Sequence, residues 1–293
     1  MIVKNQSNIK VHFAGAEQFN HFICASNADV KYVLWTVFPF IASCLGLKAS
    51  ITKSNNLIEE LKLSNIRHSI MDSGLFTLMF GAHAGKRTEK EIEIWYSNLV
   101  NYVIEKDIPS TIVEVDCQKI LGVEKAWELR KRMKNDLPNH RQINVFHKDD
   151  GQKGLDKMIE FSDYIAISVP ELRNLGQKND TIKIANYIKN KKPDIDIHLL
   201  GCTDKKMLNQ LSFCSSSDST SWLSLNRWGI IGSSHIKEFD QKLINEKYGD
   251  KIYQMFNRYN INNTQNQYDY YARTMFSAEF EKGEYTRVCG DQN

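Results

Sequence analysis

Closely spaced cysteines are missing from this sequence of 293 residues. Its six cysteines lie at least twelve residues apart, so there is no CxxC pair and no zinc-knuckle spacing, and we expect buried free thiols in a reducing compartment. The amino terminus lacks the pattern of a signal peptide, and the most apolar stretch, Tyr32–Leu47, is too short for a comfortable membrane span. We therefore expect a cytoplasmic protein with no membrane partner.

Several motifs that would assign a common enzyme class are also missing. No GxGxxG follows the first candidate strand, which counts against a dinucleotide-binding fold. The sequence has no P-loop, no GxSxG and no HxxxH pair, so we expect neither a metal site nor a cofactor. A formal charge of +3 and a pI of about 8.4 permit a nucleic-acid partner but do not require one.

Acidic residues follow the apolar runs that predict buried strands. Ile66–Met71 leads into Asp72-Ser73-Gly74, Ile112–Val115 leads into Asp116, and a serine-rich segment leads to Asp218. Ligands in α/β folds bind at the carboxyl ends of strands, so we expect the three aspartates to share one pocket. Two alternatives remain open at this stage, namely a simple turn after the first run and a solvated loop at the serine-rich segment.

Strand and helix patterns alternate through most of the chain. Repeated strand–helix units over about 250 residues fit an α/β fold of the (β/α)8 (TIM) barrel type, with a doubly wound open sheet as the alternative. We assign residues 1–235 to the barrel and residues 236–293 to a C-terminal helical extension packed on it. The candidate strands are Val11–Phe13, Val30–Phe40, Ile66–Met71, Thr111–Val115, Gln142–His147, Tyr164–Val169, Ile195–Leu200 and Trp228–Ile231.

Two groups of charged residues allow predictions about which face of a strand or helix they occupy. Glu114 and Asp116 are two residues apart at the end of a predicted strand, which would place both on one face. The segment Val123–Lys134 has helical spacing, and we assign Arg130 and Lys131 to its charged outer face.

Three carboxyl groups without a metal site restrict the possible chemistry. One carboxylate can attack an anomeric carbon and form a covalent glycosyl-enzyme, and a second can give a proton to the leaving group and take one back. A third can accept hydrogen bonds from an amidine-like N–H edge such as that of guanine. This combination predicts chemistry at the N-glycosidic bond of a nucleoside.

Six segments, taken in order, resemble motifs of the tRNA-guanine transglycosylase superfamily. They are most similar to its phage-type branch, the 7-deazaguanine DNA transglycosylases. The family motif DSG-[AG]-F-[QT] appears as DSGLFT, and its strand H/Y-L-x-G-x-[GT] appears as HLLGCT. The matching segments are Asp72–Thr77, Asp116, Val145–His147, Ala166–Glu171, His198–Thr203 and Ser216–Trp222.

The resemblance implies base exchange on a TIM barrel without ATP. Asp218 would be the nucleophile on the anomeric carbon of the sugar, Asp72 the general acid and base, and Asp116 the reader of the guanine edge. The incoming base would be a 7-deazaguanine such as 7-cyano-7-deazaguanine. The other substrate-binding residues implied by the resemblance are Ser73, Gly74, His147, Ser168, Val169 and Gly201.

Three departures from the family pattern modify this expectation. The zinc motif C-x-C-x-x-C…H of the bacterial tRNA enzymes is missing after Asp218, where only Cys289 remains, so we expect no structural zinc. Ser168-Val169 replaces a Gly-Gly pair, which narrows the pocket and leaves the identity of the incoming base open. No appended RNA-binding domain follows the barrel, which favours DNA over tRNA as the substrate.

A duplex DNA substrate would need its target guanosine flipped out of the stack. Lys86, Arg87 and Arg227 are the candidates for phosphate contacts. The alternatives are a zinc-less tRNA-guanine transglycosylase, a non-catalytic nucleic-acid-binding relative and a nucleoside hydrolase. Aromatic residues in the segment Tyr268–Phe280 either pack on the barrel or stack on bases.

Overall fold

Eight parallel strands close into a barrel in the computed structural model, which describes residues 9–49, 56–80, 85–231, 234–235 and 238–293. The strands follow one another in chain order, and the eighth pairs with the first. This confirms the predicted TIM barrel. The barrel strands are β1 (Lys10–Ala14), β2 (Tyr32–Thr36), β3 (His68–Asp72), β4 (Thr111–Val113), β5 (Gln142–Phe146), β6 (Tyr164–Ser168), β7 (Asp196–Leu200) and β8 (Ser216–Ser219).

Helices connect the strands and cover the outside of the barrel. Three short 3₁₀ turns supplement them, at Ala42–Leu45, Lys148–Asp150 and Ser221–Leu223. The helices are α1 (Phe19–Asn27), α2 (Phe38–Ile41), α3 (Leu57–Leu63), α4 (Leu75–Phe80), α5 (Glu89–Lys106), α6 (Gln118–Asp136, interrupted at Gly122), α7 (Gly151–Phe161), α8 (Val169–Asn174), α9 (Asp180–Lys191), α10 (Lys205–Gln210), α11 (Ser224–Trp228), α12 (Glu238–Tyr259) and α13 (Gln265–Cys289).

The serine-rich segment supplies the last strand of the barrel. In β8, Ser216 and Asp218 pair in register with Lys10 and His12 of β1. The predicted strand Trp228–Ile231 is wrong, because Trp228 ends α11 and only Ile230–Ile231 (β9) is extended, in an antiparallel pair with Ser234–His235 (β10) outside the barrel. A strand of serines has no apolar run for a sequence search to detect, and in the folded barrel the Ser216 hydroxyl is hydrogen bonded to His198 and Tyr164.

The core has two apolar layers. A smaller layer fills the barrel and includes Leu34, Ile70 and Val113, whereas a larger layer lies between the strands and the helices. Helix α5 shows how the sequence builds the outer layer, because the Thr88 side chain accepts from the Glu91 N–H and Glu91 accepts in return from the Thr88 N–H. Its apolar face is fully buried at Ile92, Trp95, Leu99 and Val103.

Glu114 and Arg130 form a buried ion pair that corrects two expectations. Arg130 does not lie on the charged outer face of α6, because its Nε and Nη2 atoms each lie 2.6 Å from a Glu114 oxygen. Glu114 also accepts from the Asn144 side chain and the Val145 N–H. Strand β4 ends at Val113, so the alternation of side chains between the two faces of the strand does not continue to Asp116. Glu114 faces the helix layer, whereas Asp116 contacts His147 in the mouth of the barrel.

The carboxyl-terminal helices α12 and α13 pack against each other, and α13 also contacts α1, α10 and α11. Tyr271, Met275 and Tyr285 are buried in this contact. The predicted helical extension is therefore present, and helix α13 is longer than the predicted Tyr268–Phe280. Among the described residues, no helix is long and apolar enough to cross a membrane.

Candidate active site

Three sequence-predicted aspartates meet at the carboxyl-terminal mouth of the barrel. Asp72 is the last residue of β3, Asp218 lies in β8, and Asp116 follows β4 by three residues. The negative charges of Asp218 and Asp116 both act on Asp72, which places the three groups within electrostatic reach of one another. The mouth is the face where barrel enzymes carry their active sites.

Asp72 is a carboxyl whose protonation the site alters. Its Oδ1 accepts from the Gly74 N–H at 2.7 Å and from the Thr36 hydroxyl at 3.4 Å. Burial raises the pKa of the Asp72 carboxyl, and the charges of Asp218 and Asp116 raise it further against the opposing effect of those two donors. A carboxyl with a raised pKa suits a group that must both give and take a proton.

Asp218 is held by two donors on the same oxygen. The Gly201 N–H lies 2.7 Å and the His198 Nε2 atom 3.2 Å from its Oδ1. Within the described part of the chain, Oδ2 has no hydrogen-bond donor. The carboxylate is therefore oriented through one oxygen while the other remains available.

His198 is linked to Ser216, and through it to Tyr164, by a chain of hydrogen bonds. Nδ1 of His198 lies 2.5 Å from the Ser216 hydroxyl, which is also hydrogen bonded to the Tyr164 hydroxyl. If Tyr164 donates to Ser216 and Ser216 donates to Nδ1, the imidazole proton resides on Nε2 and points at Asp218. His198 is completely buried, so this chain of hydrogen bonds lies inside the barrel.

His147 contacts Asp116 rather than only lining the pocket. Its Nε2 lies 2.8 and 2.9 Å from the two Asp116 oxygens, and its Nδ1 lies 2.9 Å from Glu171. Burial alone lowers the pKa of His147, but the hydrogen bonds to Asp116 and Glu171 raise it to about 10. His147 is therefore an imidazolium at neutral pH, with both N–H groups donating to carboxylates.

Two glycines bring backbone close to the aspartates. Gly74 (φ +76°) and Gly201 (φ +58°) lie in the left-handed region. A Cβ on Gly74 would lie 2.9 Å from the Phe38 Cβ, and one on Gly201 would lie 2.8 Å from Pro170. Only glycine fits at these two turns, and each turn presents its N–H to one of the aspartate carboxylates.

The other predicted substrate-binding residues, Ser73, Ser168 and Val169, make contacts within the protein scaffold. Ser73 is buried, and its carbonyl accepts from the Trp95 indole at 2.8 Å. The Ser168 hydroxyl caps α8 by accepting from the Glu171 N–H at 3.4 Å, and Val169 is buried in the outer apolar layer. The side chains of Ser168 and Val169 thus contribute to the scaffold, and any contact of these two residues with a base would come from their backbone.

Glu17 is a fourth carboxyl near the mouth, which the sequence reading missed. It follows β1 by three residues, and burial raises the pKa of its carboxyl, with a further increase from the charge of Asp72. The sequence pattern that indicated Asp72, an acidic residue just after a predicted strand, is also present here, because Glu17 follows Ala14-Gly15-Ala16 at the end of the first strand. Arg227 opposes the increase, so its positive charge also acts at this mouth.

The three candidate phosphate-binding cations differ in availability. Lys86 and Arg227 are exposed, and neither forms an ion pair within the described residues. The Arg87 side chain is only 11% exposed and lies 3.2 Å from Glu91. The first two are therefore better placed for a phosphate than Arg87.

In the part of the chain that is described, no group of three or more His, Cys, Asp or Glu residues is arranged to hold a metal ion.

No protein-family model matches the chain, and no curated protein sequence matches it. Solved structures do match, among them "QR15, an Aldolase", at a TM-score of 0.44 and 11% identity, over 75% of this chain and 93% of that chain. Likeness at this level says nothing about the reaction of this chain.

Proposed function

We propose that the protein is a DNA guanine transglycosylase that exchanges guanine for a 7-deazaguanine base. The observation that carries the proposal is the meeting of Asp72, Asp116 and Asp218 at one barrel mouth, in three different local environments. Base exchange needs a nucleophile, a proton carrier and a base reader, and each aspartate suits one of these tasks. The family resemblance supports the same assignment of roles.

In the first half of the reaction, Asp218 would attack the anomeric carbon of the flipped-out nucleotide. Oδ2 is the oxygen suited to attack, because Oδ1 is already held by Gly201 and His198. A C1′–O bond forms as the C1′–N9 bond breaks, and the guanine takes both electrons of the broken bond. The protonated carboxyl of Asp72 gives its proton to the departing base, and its raised pKa supports this role.

The second half reverses these steps with a different base. The carboxylate of Asp72 takes the N9 proton of the incoming 7-deazaguanine, and N9 forms the new bond to C1′. The bond from C1′ to Asp218 breaks, and its electron pair returns to the carboxylate. No atom, electron or proton is left unbalanced, and neither ATP nor an oxidant is consumed.

Asp116 would accept from the N–H edge that guanine and 7-deazaguanine share. His147 already donates to both of its oxygens, but a carboxylate offers about four lone-pair positions, so it can also accept from a base. The Asp116 side chain is 27% exposed, which leaves it accessible from the mouth. The two hydrogen bonds from His147 would hold Asp116 in place while it reads the base.

The proposal is tested by following the release of labelled guanine. Duplex DNA and tRNA, each carrying labelled guanine, are incubated with the protein and 7-cyano-7-deazaguanine, and the Asp218→Asn and Asp72→Asn variants are run beside it. Release from DNA alone, lost in both variants, is the expected result. Asp194→Asn, an exposed aspartate outside the mouth, is the matched control and should retain activity.

Each alternative function gives a different result in the same assay. Release from tRNA alone would indicate the zinc-less tRNA enzyme. Guanine release that leaves free sugar ends, without uptake of the new base, would indicate a hydrolase. Binding of polynucleotide with no release in any form would indicate the non-catalytic relative and overturn the proposal.

A further inference from the structure

A cleft of about 630 Å³ lies outside the barrel mouth, where α1 meets the connection between α12 and α13. This volume falls within the range typical of small-molecule sites. Residues of all three elements line it. They include Phe19, Tyr259, Asn262, Asn266, Gln267 and Tyr270.

The lining favours an uncharged, planar ligand with polar edges. Its walls include the aromatic rings of Phe19, Tyr259 and Tyr270, and none of its lining residues is Asp, Glu, Lys or Arg. Within the described residues, the side-chain amides of Asn266 and Gln267 form no hydrogen bond. Aromatic faces beside free amide donors and acceptors are the groups that bind a nucleobase.

Arg227 connects this cleft to the active site. Its positive charge acts on Glu17 at the mouth and also on Tyr270 in the cleft wall. Asn226, the residue before it in α11, donates to the Tyr270 carbonyl at 3.3 Å. An exposed cation whose charge acts on both the mouth and the cleft wall suits the phosphate that links two neighbouring nucleotides.

We propose that the cleft binds the base of the nucleotide next to the target, with Arg227 at the intervening phosphate. This inference rests on the proposed function, since it assumes a polynucleotide whose target base enters the barrel. It adds a second point of attachment that a free nucleoside lacks. The protein would then act on a nucleotide within a strand in preference to the isolated nucleoside.

The test combines altered DNA with altered protein. Oligonucleotides carry an abasic residue on the 5′ or the 3′ side of the target guanosine, and their dissociation constants are measured by fluorescence anisotropy. On one of the two sides, removal of the base should weaken binding to the wild-type protein about tenfold, as expected for one lost base–aromatic stack. Asn266→Trp should abolish this difference by filling the cleft, and Asn266→Ala/Gln267→Ala should reduce it.

Asn263→Ala is the matched control, because Asn263 is exposed in the same connection but does not line the cleft. It should show the full tenfold effect. If guanine exchange occurs but neither abasic residue changes the dissociation constant, the cleft is not a subsite and the proposed function stands. If the protein neither binds nor exchanges on any polynucleotide, both proposals are overturned.

Discussion

His198 directs Nε2 at Oδ1 of Asp218 across 3.2 Å, from the strand next to the one that carries the aspartate. Ser216 accounts for this orientation, because its hydroxyl occupies the other ring nitrogen. An imidazole N–H that donates to one carboxylate oxygen holds the carboxylate in one orientation. His198 is therefore a positioning residue for the proposed nucleophile. In the sequence alone, a lone histidine inside a predicted strand suggests only a core role.

Loss of the His198 donor should slow guanine exchange. His198→Leu removes one of the two hydrogen bonds to Oδ1, and we expect kcat/KM to fall about 10- to 100-fold, the loss typical of a hydrogen bond to a charged group. His198→Gln, whose amide nitrogen can replace Nε2, should recover part of this loss. Equal losses in both variants, with unchanged thermal stability, would contradict the positioning role.

Gly201→Ala should disturb the nucleophile through the backbone. The new Cβ would lie 2.8 Å from Pro170, and the N–H that holds Asp218 would have to move. Gly176→Ala is the matched control, because Gly176 also has a positive φ (+69°) but has no atom within 4 Å of an added Cβ. The alanine at a positive φ should lower the free energy of unfolding of both variants by about 1–2 kcal/mol. Only Gly201→Ala should also lose guanine-exchange activity, by more than tenfold.

His147 should make stability depend on pH in a defined window. Its pKa is about 10 in the folded protein against a reference value of 6.5, so the folded state holds the proton more tightly. The stabilisation is fully present below about pH 6.5 and is lost as the pH rises towards 10.

His147→Gln should therefore reduce the free energy of unfolding at pH 6 by about 2 kcal/mol, the scale of hydrogen bonds to charged groups. The gap from wild type should narrow as the pH rises to 10. Chemical denaturation across this range measures the effect, with the exposed His235→Gln as control. A gap that is constant with pH would show that His147 is not charged.

The buried pair of Glu114 and Arg130 should matter for stability more than for catalysis. Arg130→Met leaves the Glu114 carboxylate buried without its bidentate partner, which should cost about 3–5 kcal/mol. Lys131→Met, at the neighbouring exposed position, should change stability by less than about 0.5 kcal/mol. Thermal unfolding monitored by circular dichroism separates the two, and similar melting temperatures would contradict the buried pair.

The barrel could be predicted from the sequence because seven of its strands are apolar runs. Their carboxyl ends also indicate where Asp72 and Asp116 lie. The eighth strand could not be found in this way, because serines do not form an apolar pattern. A serine such as Ser216 can be buried in the barrel because its hydroxyl is hydrogen bonded to Tyr164 and His198. A hydrogen bond between residues distant in sequence leaves no local signal.

The same limit applies to the site. The sequence places Asp218 after a run of serines but does not show that Gly201 and His198 hold it. It gives Arg130 as one of several charged residues on a helix, and only the fold shows that it turns inward to Glu114. Individual positions could be predicted, whereas their partners required the three-dimensional structure.

The central claim is that Asp218 forms a covalent bond to the sugar, and a trapping experiment tests it most directly. Labelled DNA containing the target guanosine is incubated with the protein without an incoming base, then denatured, and the protein–DNA adduct is mapped by mass spectrometry. We expect an adduct at Asp218 in the wild-type protein and in Asp194→Asn, and none in Asp218→Asn. Guanine exchange that proceeds without an adduct, or with one at another residue, would contradict the account.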